Sequence, residues 1–300
     1  MVEKTKALEA YQEAGEDPKA LECIPMLKRS DIKREAAKII NEELTVDDSL
    51  FLYHDVCTNG IGYVDLMFKT DSIAPEQIPY LGLLKSVLGY VDTENYTYGE
   101  LFNEINANTG GINCGVEVFD RADSTEEFQA MFSVRGKALY TKMDFLFKMI
   151  GEILNSSKLE DTKRLYEIVA SVKSRAQVNL TGAGHSTAVL RAAAYSSPMA
   201  AFQDEMAGIG YYQFIEKLEK DFEQRKEETV EELCKLMKKI LRPENFMISY
   251  TGERESLETV QKLTGAVKAG LGTEPVEKSE EKLTCTKKNE GFKTSGQVQY

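Results

Sequence analysis

The order in which strand-like and helix-like hydrophobic patterns follow one another constrains this chain more than any other feature. Residues 51–70, FLYHDVCTNGIGYVDLMFKT, hold two strand-like runs around Thr58-Asn59-Gly60, a turn signal of the hairpin kind. In the second run Val64, Leu66 and Phe68 face one way and Tyr63, Asp65 and Lys69 the other. A helical stripe follows over Pro75 to Leu88, and a second helix opens at TYGE, where Thr97 and Glu100 form a capping box. Ile112, Cys114, Val116 and Val118 then alternate, as do Phe128, Ala130, Phe132 and Val134. Several helical stripes come next, among them Leu165, Ile168, Val169 and Val172, before one more strand at Asn245 to Gly252 and a last helix to about Ala269. Few strand–helix units lie in a row. The expected fold is therefore α+β, a mostly antiparallel sheet covered by helices rather than a doubly wound parallel one.

The ends differ from this middle. Residues 1–45 read as a helical connector, with Asp17 as an N-cap before Pro18 and breaks at Pro25 and Ser30-Asp31. Residues 46–272 form the expected α+β domain. Residues 273–300 read as a linker of mixed charge, followed by an alternating stretch from Phe292 to Tyr300 that resembles the cut first strand of a following domain.

A chain that is 42% hydrophobic and 29% charged can bury a sizeable core. A net charge of −12 argues against nucleic acid, which needs a clustered basic face. Acidity attracts basic peptides at long range but is too common to select a partner. Cys23, Cys57, Cys114, Cys234 and Cys285 are scattered and include no Cys-x-x-Cys, so neither a zinc ribbon nor a redox pair is offered. A reducing compartment is expected: the cytoplasm, or the mitochondrial matrix if the source is eukaryotic. The opening MVEKTKALEAYQEAG has no apolar core of a signal peptide, and no apolar run is long enough to span a bilayer.

Four stretches carry a family likeness: IPMLKRSDI, TNGIGYVDLMF, YTYGELFNEINANTGGI, and GHSTAVLRAAAYSS with the GIGYYQFI that follows. They resemble the pitrilysin (insulinase) zinc metallopeptidases, in particular the presequence-protease branch, over nearly the whole chain. The resemblance implies a clam-shell parent of four related α+β domains, with zinc held by His-x-x-Glu-His in the first. This chain resembles the end of the connector plus the third domain, a mitochondrial-processing-peptidase-like unit. It implies a parent that degrades short unstructured peptides. This segment would form chamber wall and pack against the catalytic N-terminal half and the C-terminal domain. Overlaying the family's Ile-Pro-His phrasing on Ile78-Pro79-Tyr80 puts Tyr80 at the first zinc ligand, Leu83 at the catalytic Glu and Leu84 at the second ligand. None matches, so no catalytic, metal or cofactor residue is carried over. Zinc is implied for the parent only, and the segment is expected to be inactive alone. Substrate-binding residues are not identified.

The residues themselves agree. The two histidines, His54 and His185, lie far apart, whereas zinc needs three or four convergent ligands. IPYLGLLKSVLGYV reads as a core helix. His54-Asp55 with Cys57 reads as a structural or surface group, since strand neighbours face opposite ways. Gly182 and Gly184 loosely suggest a phosphate cradle, but no strand precedes them and no Lys-Ser/Thr follows. NTGG ends a helix, where anions do not bind. Tyr211, Tyr212 and Phe214 read as core and rim. Two other classes stay open: a free-standing, peptidase-derived interaction subunit without catalysis, and an unrelated enzyme using His54 or His185.

Overall fold

A computed structural model describes residues 2–15, 17–36, 38–124, 126–281 and 283–293. The chain divides into two compact units, Met1–Ile39 and Ile40–Tyr300. The first holds α1 (Val2–Glu13), α2 (Pro18–Leu21) and a 3-10 turn at Arg29–Asp31. Asp17 caps α2, its carboxylate accepting the Lys19 N–H at 3.0 Å, and Pro18 sits where no donor is needed. Every described residue of this unit is exposed, so it buries no core of its own.

Among the described residues, the second unit has a six-stranded sheet in the order β1-β2-β6-β3-β5-β4. The strands are β1 (Glu42–Val46), β2 (Ser49–Asp55), β3 (Ile61–Lys69), β4 (Ile112–Asp120), β5 (Phe128–Leu139) and β6 (Phe246–Gly252). Every neighbouring pair is antiparallel except β2 with β6. The α+β fold with a mostly antiparallel sheet is as the pattern order predicts.

The expected hairpin at Thr58-Asn59-Gly60 is not one. The turn forms, with Asn59 at φ 54° and Gly60 at φ 80°, but β6 lies between β2 and β3 and pairs with both. Two strand spacings are about 10 Å, a gap that Val56 to Gly60 can span at roughly 3.3 Å per residue. The real hairpin at this end joins β1 to β2 through Asp47 and Asp48, which adopt φ 45° and 63°. Two successive left-handed residues match the right-handed twist of paired strands, and aspartate tolerates that conformation. All of β1 except Val46 lies inside the stretch read as connector. Its sequence, EELTV, contains only two large apolar residues, too few to show as alternation.

The helices are α3 (Ile78–Val87), α4 (Tyr98–Asn108), α5 (Met143–Ser156), α6 (Thr162–Gly182), α7 (Gly184–Ala193), α8 (Pro198–Ala207), α9 (Ile209–Lys220), α10 (Phe222–Ile240) and α11 (Leu257–Ala269). The capping box of α4 is present in both directions: the Glu100 N–H reaches Thr97 Oγ1 at 3.3 Å and the Thr97 N–H reaches Glu100 Oε2 at 2.9 Å. One apolar core joins sheet and helices. Phe51, Leu66, Phe132 and Ile248 supply the sheet side; Leu81, Leu101, Leu146, Leu236 and Val260 supply the helical side.

After α11 the described chain, residues 273–281 and 283–293, forms neither helix nor strand. It stays against its own unit: Arg242 Nη1 donates to the Glu274 carbonyl at 2.5 Å, and the Ser279 N–H to the Ser72 carbonyl at 3.2 Å. Of the strand expected over Phe292 to Tyr300, residues 294–300 lie outside the described residues.

Candidate functional site

The helix that would correspond to a zinc helix is α3. Pro79 in its first turn fixes the entry, and the next residues are almost wholly apolar. Tyr80, Leu83 and Leu84 are all buried, at 6%, 0% and 1% exposure. The Tyr80 ring meets Phe214 edge-on with centroids 4.8 Å apart. Its hydroxyl accepts from Arg225 Nη2 at 2.9 Å and donates to Glu228 Oε1 at 3.3 Å, and burial holds its pKa above the ordinary phenol range. Gly82 lets α3 approach its neighbours: a Cβ there would lie 2.5 Å from the Met206 carbonyl and 2.8 Å from the Tyr211 ring. This donor set is one neutral phenol and two hydrocarbons, which does not fit zinc. Among the described residues no three His, Cys, Asp or Glu side chains converge as metal ligands.

The other sequence candidates are kept apart by their partners. His54 Nδ1 lies 2.7 Å from the Ile40 carbonyl and Nε2 lies 3.2 Å from Ser249 Oγ, so both ring nitrogens are engaged. Asp55 faces Arg254 at 3.5 Å, while the Cys57 thiol approaches Asn59. These three residues do not form a nucleophile–base relay. His185 lies in the first turn of α7 with Ser186 Oγ 3.0 Å from its Nε2. Gly182 and Gly184 mark the junction of α6 and α7, with a helix where a phosphate loop would need a strand. Tyr211 is buried, and Tyr212 at the rim donates to Glu216 at 2.8 Å.

Two arrangements escaped the sequence reading. Tyr63, Asp65, Asn113, Arg135, Lys137 and Ser249 line an open groove of about 440 Å³ across the sheet. They project from the face opposite Val64, Leu66 and Val134, which belong to the core. Arg135 bridges two carboxylates there, Asp65 at 2.8 Å and Glu117 at 3.2 Å. Burial pushes the Asp65 carboxyl above its usual range although Arg135 opposes the shift, and one of its oxygens has no hydrogen-bond partner. The surface carries both charge signs beside the hydroxyls of Tyr63 and Ser249 and the amide of Asn113. The sequence signal was Tyr63 and Asp65 alternating with core residues, repeated by Arg135 and Lys137 on β5.

The second arrangement joins residues distant in sequence. Arg191 on α7, 7% exposed, reaches Asp204 on α8 at 2.5 Å and Glu290 at 2.6 Å. A single arginine set among Ala192, Ala193 and Ala194 was the only hint in the sequence.

The model of the domain family described as associated with the C subfamily of the M16 peptidases matches residues 1–218. "Protein HypA" of Clostridium perfringens is 34% identical over the whole chain, which spans 31% of that protein. "Presequence protease 1, chloroplastic/mitochondrial" of Arabidopsis thaliana is 27% identical over 86% of the chain, which spans 24% of its length. Among solved structures, a peptidase M16 inactive domain from Pseudomonas fluorescens aligns with 81% of this chain and 54% of its own, at a TM-score of 0.53 and 15% identity. A protease from Helicobacter pylori aligns with 82% and 54%, at a TM-score of 0.54 and 14% identity. The two structural likenesses concern fold alone.

Proposed function

The chain belongs to the family of domains associated with the C subfamily of the M16 peptidases, and from that premise we propose that it is the wall-forming, non-catalytic segment of a zinc metalloendopeptidase that degrades short unstructured peptides. The observation that carries this reading is α3. Where the resemblance would put the family's zinc helix, this chain has Tyr80, Leu83 and Leu84 built into the core. The groove over Asp65 and Arg135 supports a surface that peptides touch, because it offers polar groups and charges of both signs. The partners in this reading are the catalytic N-terminal half and the C-terminal domain of a longer parent. The chain's 31% share of the Clostridium perfringens protein supports this. A reducing compartment, the cytoplasm or in a eukaryote the mitochondrial matrix, fits the five free thiols among the described residues.

Separate expression tests the assignment. The parent's remaining segments and this chain are purified apart, then assayed singly and mixed on a quenched-fluorescence unstructured peptide. Cleavage should need both parts and be abolished by a chelator. Equal cleavage by the remaining segments alone would remove the wall role.

A further inference from the structure

The cluster around Arg191 has the form of a docking site whose occupant is the chain's own arm after α11. Asp204 is 1% exposed and fixed before the arm arrives: its two oxygens accept the Ile209 N–H at 3.0 Å and the Gly210 N–H at 3.1 Å at the start of α9. It holds Arg191 by Nη1 and leaves Nε and Nη2 of the guanidinium fork for a second carboxylate. Glu290 fills that place, accepting from Nε at 2.6 Å and Nη2 at 3.2 Å, and Tyr195 donates to the same carboxylate at 2.7 Å. Upstream, Leu283 and Cys285 pack on a floor of small residues, Ala194, Ala200 and Ala201. Downstream, the Phe292 ring lies 5.8 Å from the Arg191 guanidinium.

Two features distinguish this from ordinary packing. Among the described residues from 280 to 293 no backbone–backbone hydrogen bond ties the arm down, so side chains alone hold it. Arg191 also keeps Asp204 when Glu290 leaves, so release does not strand an unpaired buried charge, the usual large penalty for breaking a buried pair. We infer that the α7–α8 corner is a preset receptor for an extended segment bearing a carboxylate two residues before an aromatic ring, that residues 283–292 occupy it reversibly, and that Glu290 is the latch. Docking seats residues 283–292 on the domain; release frees the Nε and Nη2 donors of Arg191. This does not depend on the proposed chamber role.

Limited proteolysis of the whole 300-residue chain tests it. Lys287 and Lys288 are exposed but lie within the docked arm, whereas Lys33 and Arg34 lie in the exposed first unit and serve as internal controls. Trypsin should cut after Lys287 and Lys288 more slowly than after the controls. Glu290→Ala should raise that rate about ten-fold, as expected for a lost charge-assisted hydrogen bond, and Glu290→Gln should raise it less. The melting temperature of the domain should stay unchanged in both variants. Control-level cleavage of the unmodified arm would show that it is not docked. Unchanged protection in Glu290→Ala would show that Glu290 is not the latch. Loss of domain stability in that variant would show that the arm is part of the core and not releasable.

Discussion

Gly82 and Leu84 show how little freedom the middle of α3 has. A methyl group at Gly82 would press on the Met206 carbonyl, a backbone atom that cannot turn aside. Gly82→Ala should therefore destabilise the domain by about 1–3 kcal/mol despite alanine's better helix propensity, read from the urea midpoint. Leu84→Asp goes further, placing a carboxylate with no partner where exposure is 1%. The lost apolar contacts alone cost about 2–5 kcal/mol, so loss of the cooperative unfolding transition is expected. A folded mutant with an unchanged midpoint would mean that this face is open to solvent. Glu290 makes a different prediction. Its hydrogen bonds with Arg191 hold its pKa at about 2, against an ordinary 4.5. A depressed carboxylate contributes stability above its unfolded value and loses it as pH falls through the folded one. Arm docking should therefore weaken between about pH 4.5 and 2. Arg191, Asp204, Glu205, Tyr195 and Lys288 are the other ionisable groups in this network. Carbon NMR of the Glu290 carboxyl should show a midpoint near 2; an ordinary midpoint would mean that the pair is absent in solution.

At the scale of elements, local chemistry was legible and partnership was not. The capping box of α4 needs only residues 97 and 100, and it is visible in the sequence. Thr97→Ala should cost about 1 kcal/mol, measured by thermal unfolding, because the Glu100 N–H loses its acceptor. Likewise Asp17 before Pro18, the stripe in α3 and the alternation of β3 and β5 depend on near neighbours. The position of β6 between β2 and β3 does not, since its partners are nearly 200 residues away in sequence and no local pattern records them. Asn59-Gly60 signals a left-handed turn correctly, yet says nothing of which strand lies alongside. The same holds for the sites: burial of Tyr80, Leu83 and Leu84 follows from an apolar helix, whereas the meeting of Arg191 with Glu290 needs the fold. Strand order carries its own test. With partners on both edges, the amides of Ile248 and Tyr250 should exchange more slowly than those of Asn113 and Glu117 in the edge strand β4. Equal rates would contradict the observed order.

For the whole molecule, the question is what a peptidase-family fold does with its chemistry removed. Phenol, leucine and glycine on α3 let helices pack closely where a metal site would demand polar, open space. The chain has a large core, a net charge of −12 and a polar groove across the sheet. It spans less than a third of the length of the Clostridium perfringens and Arabidopsis thaliana relatives. The most direct measurement is the zinc content of the purified, untagged 300-residue chain by elemental analysis after dialysis. A zinc-to-protein ratio near zero is expected. A ratio near one, retained through dialysis and lost with a chelator, would contradict the assignment of this segment as non-catalytic.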